Sequence, residues 1–190
     1  MVSQVATLSS NQLQEYLNLR NKVDQQFDKI FTKHTSEMSC AEGCHDCCAP
    51  DLSVTQIEAE MIRKFIKARP EIVEQLNTLE TVNPHQGTRC SLLNAEGQCS
   101  IYEARPLICR SHGAPVLVQI DAKREGIDAC PKNFKSGMTM LEVGDWIHLE
   151  TLNTLLALVD WRNALDQGRE RPDPETDRIP LLINSLLPEQ

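Results

Sequence analysis

Four thiols lie within one nine-residue stretch, Cys40-Ala-Glu-Gly-Cys44-His-Asp-Cys47-Cys48, and four more follow at Cys90, Cys99, Cys109 and Cys130. So dense a set serves disulfides, thiol redox chemistry or soft metal ions. Thiolates are soft donors, and a cysteine-rich set with few histidines selects zinc, Cu(I) or iron–sulphur clusters over magnesium or calcium. Cys44-x-x-Cys47 is itself a metal-ligand spacing, because a two-residue turn lets both sulfurs face one ion. Cysteines used as small core hydrophobes would be scattered over apolar helix faces. Here all eight fall between Cys40 and Cys130, outside the two strongest helical patterns. The adjacent pair Cys47-Cys48 fits one tetrahedral zinc poorly, since consecutive side chains diverge, and better suits different irons or different ions. Four thiolates suffice for one cluster, so eight allow a cluster plus a zinc or a second centre.

The rest of the composition narrows the setting. A formal charge of −8 repels phosphate backbones and anionic lipid surfaces, and no basic run is interleaved with aromatics, so neither nucleic acid nor membrane is expected as a partner. Phe134, between Lys132 and Lys135, reads as a solvated loop face. Met1 to Ser10 has no basic segment followed by an apolar one, which is not the form of a secretory signal. No apolar run approaches the roughly 18 residues of a membrane span. The expectation is a cytoplasmic chain, and in a reducing compartment eight cysteines favour metal or redox chemistry over a disulfide framework.

The elements that must position these thiols are mostly helical. The 190 residues fall within the size of a single domain, and with aromatics at 4% its core must rest on Leu, Ile, Val and Met. Ser9, Ser10 or Asn11 can cap an N-terminal helix within 9–34, with Leu13, Tyr16, Leu17, Arg20, Val23, Phe27, Ile30 and Phe31 at helical spacing. Thr55 with Glu58 forms a capping-box signature that opens a second helix, its inner face Ile57, Met61, Ile62, Phe65 and Ile66. Pro70 ends that helix and can start another over Glu71 to Leu79. Thr88 to Leu93 and Gln98 to Tyr102 flank the turn Asn94-Ala-Glu-Gly97, which predicts a small hairpin bringing Cys90 near Cys99. Arg105-Pro106-Leu-Ile-Cys109-Arg110 predicts one helical turn, and Val116 to Ile120 a short strand. A long packing helix is expected over 144–166, with Trp146, Leu149, Leu152, Leu155, Leu156, Val159 and Leu165 on its face, followed by a C-terminal strap over 168–190. The fold class expected is mainly α: a small helical domain with a short β-hairpin and a cysteine-rich metal-binding middle region over 40–130.

The second cysteine segment, Gly97-Gln-Cys99-Ser-Ile101-Tyr102-Glu103-Ala-Arg105-Pro106-Leu-Ile-Cys109-Arg110, following Cys-x-x-Cys-Cys at 44 to 48, closely resembles the YkgJ family of zinc- or iron-chelating cysteine-cluster domains. The likeness spans roughly Cys40 to Cys130. It implies Cys44, Cys47 and Cys48 as ligands with Cys40 as the opening member, and Cys90, Cys99, Cys109 and Cys130 as a second set. The first gap is three residues where family members often have two, which bears on Cys40. The same pattern occurs in flagellin lysine methylases, where it implies an iron–sulphur centre involved in methyl transfer. No glycine-rich strand-to-helix loop is present here, so no methylase activity is carried over. Cys40-x3-Cys44-x2-Cys47 also has the form of the radical-SAM motif, but that resemblance demands a long succession of strand–helix units, and the chain after Cys48 is helical and short.

Around the thiols, Gly97 suits a turn with positive φ, Tyr102 can bury its ring, and Pro106 stiffens the approach to Cys109. Arg105 and Arg110, with Tyr102, are candidate cofactor contacts: the cations can donate to thiolates or to an anionic substrate, or form ion pairs with Glu103 or Asp128. His45 and His112 can substitute as ligands or stand as neutral imidazoles beside them. The functional expectation is a metal-binding protein holding an iron–sulphur cluster, 4Fe–4S, for redox or group-transfer chemistry. The other reading is a Zn2+ module with a structural or chaperone-like role. A protein partner or protein substrate is compatible with either, and catalysis is left open.

Overall fold

The computed structural model describes residues 10–48, 51–82 and 89–187. Among these, helix α1 (Ser10–Lys33) leads into the first thiol loop, and β1 (Ser53–Val54), α2 (Gln56–Lys67) and α3 (Pro70–Val82) follow it. A 3-10 turn (Tyr102–Ala104) and α4 (Leu107–Ser111) come next, then strands β2 (Val116–Asp121) and β3 (Arg124–Asp128). The chain closes with β4 (Ile147–His148), α5 (Leu149–Asp166), β5 (Ile179–Pro180) and α6 (Ile183–Leu186). The architecture is mainly α, with two small sheets.

Two apolar cores organise these elements. The first joins Tyr16, Leu19, Val23 and Ile30 of α1 to Leu152, Leu156 and Val159 of α5, with Ile57, Leu107, Phe134 and Ile147 filling between them. Each such side chain contributes about 1.5–3 kcal/mol on burial. That packing, rather than intrinsic propensity, holds a helix of this length in place. Leu19, outside the predicted face of α1, is buried, and the candidate cap Ser9 lies outside the described residues. The second core gathers Ile62 and Ile66 of α2, Ile72 and Leu76 of α3, the loop residues Leu92, Leu93 and Ile101, and Leu181, Ile183 and Leu186 from the C-terminal strap. Antiparallel pairing of Ser53–Val54 with Ile179–Pro180 ties that strap down.

α2 is the shared wall: its Ile57 faces the first core, and its Ala59, Ile62 and Ile66 face the second. Its start is over-determined. Glu58 Oε2 accepts the Thr55 amide at 3.0 Å and the Thr55 hydroxyl at 3.1 Å, while Asp160 Oδ1 on α5 accepts the Ile57 amide at 2.7 Å. These bonds occupy amides that a helix N-terminus otherwise leaves unpaired.

Several expectations are corrected. The long helix begins at Leu149, not at Gly144 or Asp145. Ile147–His148 is drawn into parallel pairing with Val116–Leu117, and Asp145 is captured by Lys33 and His34. Leu155 and Leu165 stand exposed, because the buried stripe of α5 runs through Leu152, Leu156, Val159 and the polar Asp160 and Asn163 instead. The hairpin over Thr88 to Tyr102 contracts to one antiparallel bridge, Leu93 to Cys99, around a turn in which Gly97 has φ +77°, and Thr88 lies outside the described residues. The extended hairpin is β2–β3, whose second strand is polar and went unpredicted. Phe134 is buried in the first core, edge-on to His34 at 5.5 Å, with its amide donating to Glu37 O at 2.8 Å. Its apolar ring outweighs the two lysines beside it in sequence.

Candidate metal centre

The first thiol loop folds as two tight turns, the Cys44 amide donating to Ala41 O at 3.1 Å and the Cys48 amide to His45 O at 2.9 Å. Cys40, at its head, packs against the first core. Asn133 pins it from a distant segment: Nδ2 donates to Cys40 Sγ at 3.3 Å and to Gly113 O at 2.7 Å, and Oδ1 accepts the Ser39 amide at 2.7 Å. Gly113, with φ +97°, is required here, because a Cβ on it would stand 2.6 Å from Cys40 Sγ. A Lys132–Asp46 ion pair straps the Cys130 segment across the Cys44–Cys47 turn. Cys44 and Cys47 are exposed, Cys40 and Cys130 half-buried. Burial pushes the Cys40 thiol up, reinforced by the nearby charges of Cys130, Cys44 and Cys47 and opposed by the Asn133 hydrogen bond.

The remaining thiols gather elsewhere. Cys48, Cys90, Cys99 and Cys109 all sit on the second core. The Cys90 amide donates to Cys48 O at 3.0 Å, docking the two segments, and the Leu93–Cys99 bridge holds Cys99 alongside. Two of these sulfurs are held in the same way, each by the amide two residues on: Leu92 N–H donates to Cys90 Sγ and Ile101 N–H to Cys99 Sγ. Cys109 rides on α4, whose first amide, Leu107 N–H, is accepted by the buried Glu58 Oε1 at 2.8 Å. Burial raises the thiols of Cys90, Cys99 and Cys109, and for Cys109 the charges of Cys99 and Cys90 add to it.

Cys47 and Cys48 link the two groups. The hydrogen bond between them lowers Cys48 and pushes Cys47 up to about 12, while a second contact with His112 pulls Cys47 back down. A cleft of about 910 Å³ is lined by every cysteine except Cys130, which lines an adjoining cavity of about 230 Å³ with Cys47 and His112.

The candidate cofactor contacts Tyr102, Arg105 and Arg110 also line the larger cleft. Tyr102 does not bury its ring: it is 62% exposed, and the Arg105 guanidinium lies 3.8 Å above it. Arg105 Nε is buried with no hydrogen-bond partner among the described residues, and its charge lowers Cys99 and Cys109. Arg110 is held by Asp24 through bonds of 2.8 and 2.7 Å and by the main-chain oxygens of Arg105 at 2.7 Å and Glu103 at 2.6 Å. Its ion-pair partner is thus neither Glu103 nor Asp128. His45 caps Gly43 O at 3.0 Å through Nδ1 and packs over Gly97.

The donor set fits a thiophilic metal. All eight cysteines are free thiols, two sulfurs already accept backbone amides, and an unpartnered guanidinium nitrogen lies in the cleft wall. Amide donors of this kind stabilise thiolates and tune a bound metal. Among the described residues no three His, Cys, Asp or Glu side chains already form a ligand shell, so closing either group onto one ion takes side-chain rotation. Glu58, Asn133, Gly113 and Asp24 escaped the sequence reading as parts of the site. Only Glu58 had a visible signal, its spacing from Thr55.

A helical scaffold around a two-part thiol cleft defines a metal-binding cysteine-cluster protein. Residues 39–131 match the CxxCxxCC family, described as "Putative zinc- or iron-chelating domain". Neither the curated proteins nor the solved structures give a match. No helix among the described residues is long and apolar enough to cross a membrane.

Proposed function

We propose that Cys48, Cys90, Cys99 and Cys109 hold an iron–sulphur cluster that serves redox or group-transfer chemistry in the cytoplasm. The observation that carries this reading is the convergence of these four thiols on one apolar core, with Cys90 and Cys99 each accepting the amide two residues on. Four thiolates are the usual complement of a 4Fe–4S cluster, and burial with amide donation to sulfur is how a protein sets a cluster's potential. Such a cluster supplies electron transfer or an electrophilic iron when bound. The chain's own residues shield it on the second core, offset thiolate charge through Arg105, and hold Cys109 in place through Glu58 and Leu107. The cleft is open to solvent past the exposed Tyr102, which gives a protein partner or protein substrate a route to it.

The same amide-to-sulfur turns suit a single tetrahedral zinc, and the family description names both metals. In that reading the metal organises the middle region and carries no redox role. Anaerobic purification followed by iron, acid-labile sulfide and zinc analysis with a visible spectrum separates them. Brown protein with matched iron and sulfide is expected; colourless protein with stoichiometric zinc alone overturns the cluster.

A further inference from the structure

We propose that the larger cleft binds a monocarboxylate with an apolar body, its anion on Arg105 and its body along Phe27 and Phe31. The inference names a ligand class for the cleft of the proposed metal centre and rests on that reading. Two guanidinium groups line this cleft, Arg105 and Arg110. Arg110 is occupied by Asp24 and by the main-chain oxygens of Arg105 and Glu103. Among the described residues no carboxylate pairs with Arg105, because the acids around it are engaged elsewhere: Glu103 with Arg69 at 3.2 Å, Asp24 with Arg110, and Glu42 with Gln98 Nε2 at 2.8 Å. The Arg105 side chain is nonetheless held in place. Its guanidinium stacks 3.8 Å from the Tyr102 ring centre, its Nε is buried without a partner, and the bond from Arg110 to Arg105 O fixes the main chain. A guanidinium ordered in advance, with no anion of its own, presents a fork that matches the two oxygens of a carboxylate.

The rest of the cleft sets what that carboxylate can carry. The Arg105 charge acts on Cys99 and Cys109, against the burial that raises both thiols, so an anion on Arg105 lies beside the buried thiol group. Asp28 and Glu42, both exposed, add negative charge to the cleft lining. One negative charge on the ligand is therefore favoured over a phosphate dianion, which would add repulsion at the same place. From Asp24, which ties α1 to Arg110, the helix runs on to Phe27 and then Phe31, about 10 Å further at 1.5 Å per residue. Those two rings lie nearly parallel, 13° apart with centroids 6.2 Å from each other, and both line the cleft. Its volume of about 910 Å³ suits a small organic ligand. The ligand that fits has a carboxylate at one end and an aryl or alkyl body short enough to end against Phe31. A free acid and the C-terminal carboxylate of a peptide share this chemistry.

The test is isothermal titration calorimetry on the full chain purified anaerobically, with iron, sulfide and zinc measured on the same samples. The probes are 3-phenylpropanoate, its neutral amide, and a short peptide ending in phenylalanine with a free or an amidated C-terminus. The acid is expected to bind, and the amide to bind about 10- to 100-fold more weakly, the loss that removing charge-assisted hydrogen bonds produces. Arg105→Gln should abolish that preference, and Arg105→Lys, which keeps the charge but not the fork, should restore part of it. Tighter binding of the free-terminus peptide than of 3-phenylpropanoate assigns the carboxylate to a protein and the reverse order assigns it to a small molecule; both support the site. Equal affinity for acid and amide, or a preference unchanged in Arg105→Gln, overturns the inference. Where Arg105→Gln also loses metal, Phe31→Ala decides: weaker acid binding with the metal retained supports the site, and unchanged affinity overturns it. Bound metal without acid binding overturns this inference alone, whereas acid binding by protein that holds no iron overturns the cluster alone.

Discussion

Glu58 Oε1 accepts the amide hydrogen of Leu107 at 2.8 Å, joining the start of α2 to the start of the short helix that carries Cys109. The carboxylate is fully buried, and burial raises its pKa against three hydrogen bonds that lower it. A capping box that would ordinarily serve one helix thus serves two. Removing it orphans the Thr55 and Leu107 amides, at about 1–3 kcal/mol for each unsatisfied buried group. Glu58→Ala is expected to lose about 3 kcal/mol in urea unfolding and to weaken metal retention. Glu58→Gln, which keeps an oxygen for one partner, should fall between; equal stability of all three would contradict this account.

Gly113 and Cys40 make a second dependence. A side chain at 113 meets both the left-handed backbone and Cys40 Sγ. Strain of this type costs roughly 1–3 kcal/mol before any clash is relieved. Gly113→Ala should lower the unfolding midpoint and make the Cys40 thiol less reactive toward an alkylating reagent in the metal-free protein, as the sulfur moves away from the Asn133 amide that favours its thiolate. An alkylation rate unchanged from wild type would show that the contact does not position Cys40.

A pH dependence follows from Asp145. Burial works against its charge, but hydrogen bonds from Lys33, the Glu142 amide and His34 outweigh burial and hold it at about 2. An acid depressed on folding stabilises the native state wherever it is ionised, so the contribution is complete above about pH 4 and lost as pH falls through about 2. It amounts to about 2 kcal/mol. Urea unfolding of wild type and Asp145→Asn should differ by about that much at pH 7 and converge near pH 2. Parallel curves across that range would refute the assignment.

Much of the scaffold was legible because local rules and tertiary packing agree there. The helical spacing of Tyr16, Val23 and Ile30, the Thr55–Glu58 pair and Pro106 before Cys109 mark elements close to their observed bounds. What stayed hidden depends on partners remote in sequence. Arg110 finds Asp24 on α1, Asn133 finds Cys40, and β4 takes the residues expected to begin α5 because β2 offers them a strand. The adjacency of Cys47 and Cys48 was readable, whereas the packing of Cys40 on the first core and of Cys48, Cys90, Cys99 and Cys109 on the second was not.

The most direct measurement of the central claim is the iron, sulfide and visible absorption of Cys109→Ser beside wild type, both purified without oxygen. Cys109 is a thiol on the second core, presented on a helix that Glu58 tethers. Loss of both iron and colour with the helical circular dichroism retained is the predicted result. Full iron and an unchanged spectrum in the variant would contradict a cluster held by Cys48, Cys90, Cys99 and Cys109.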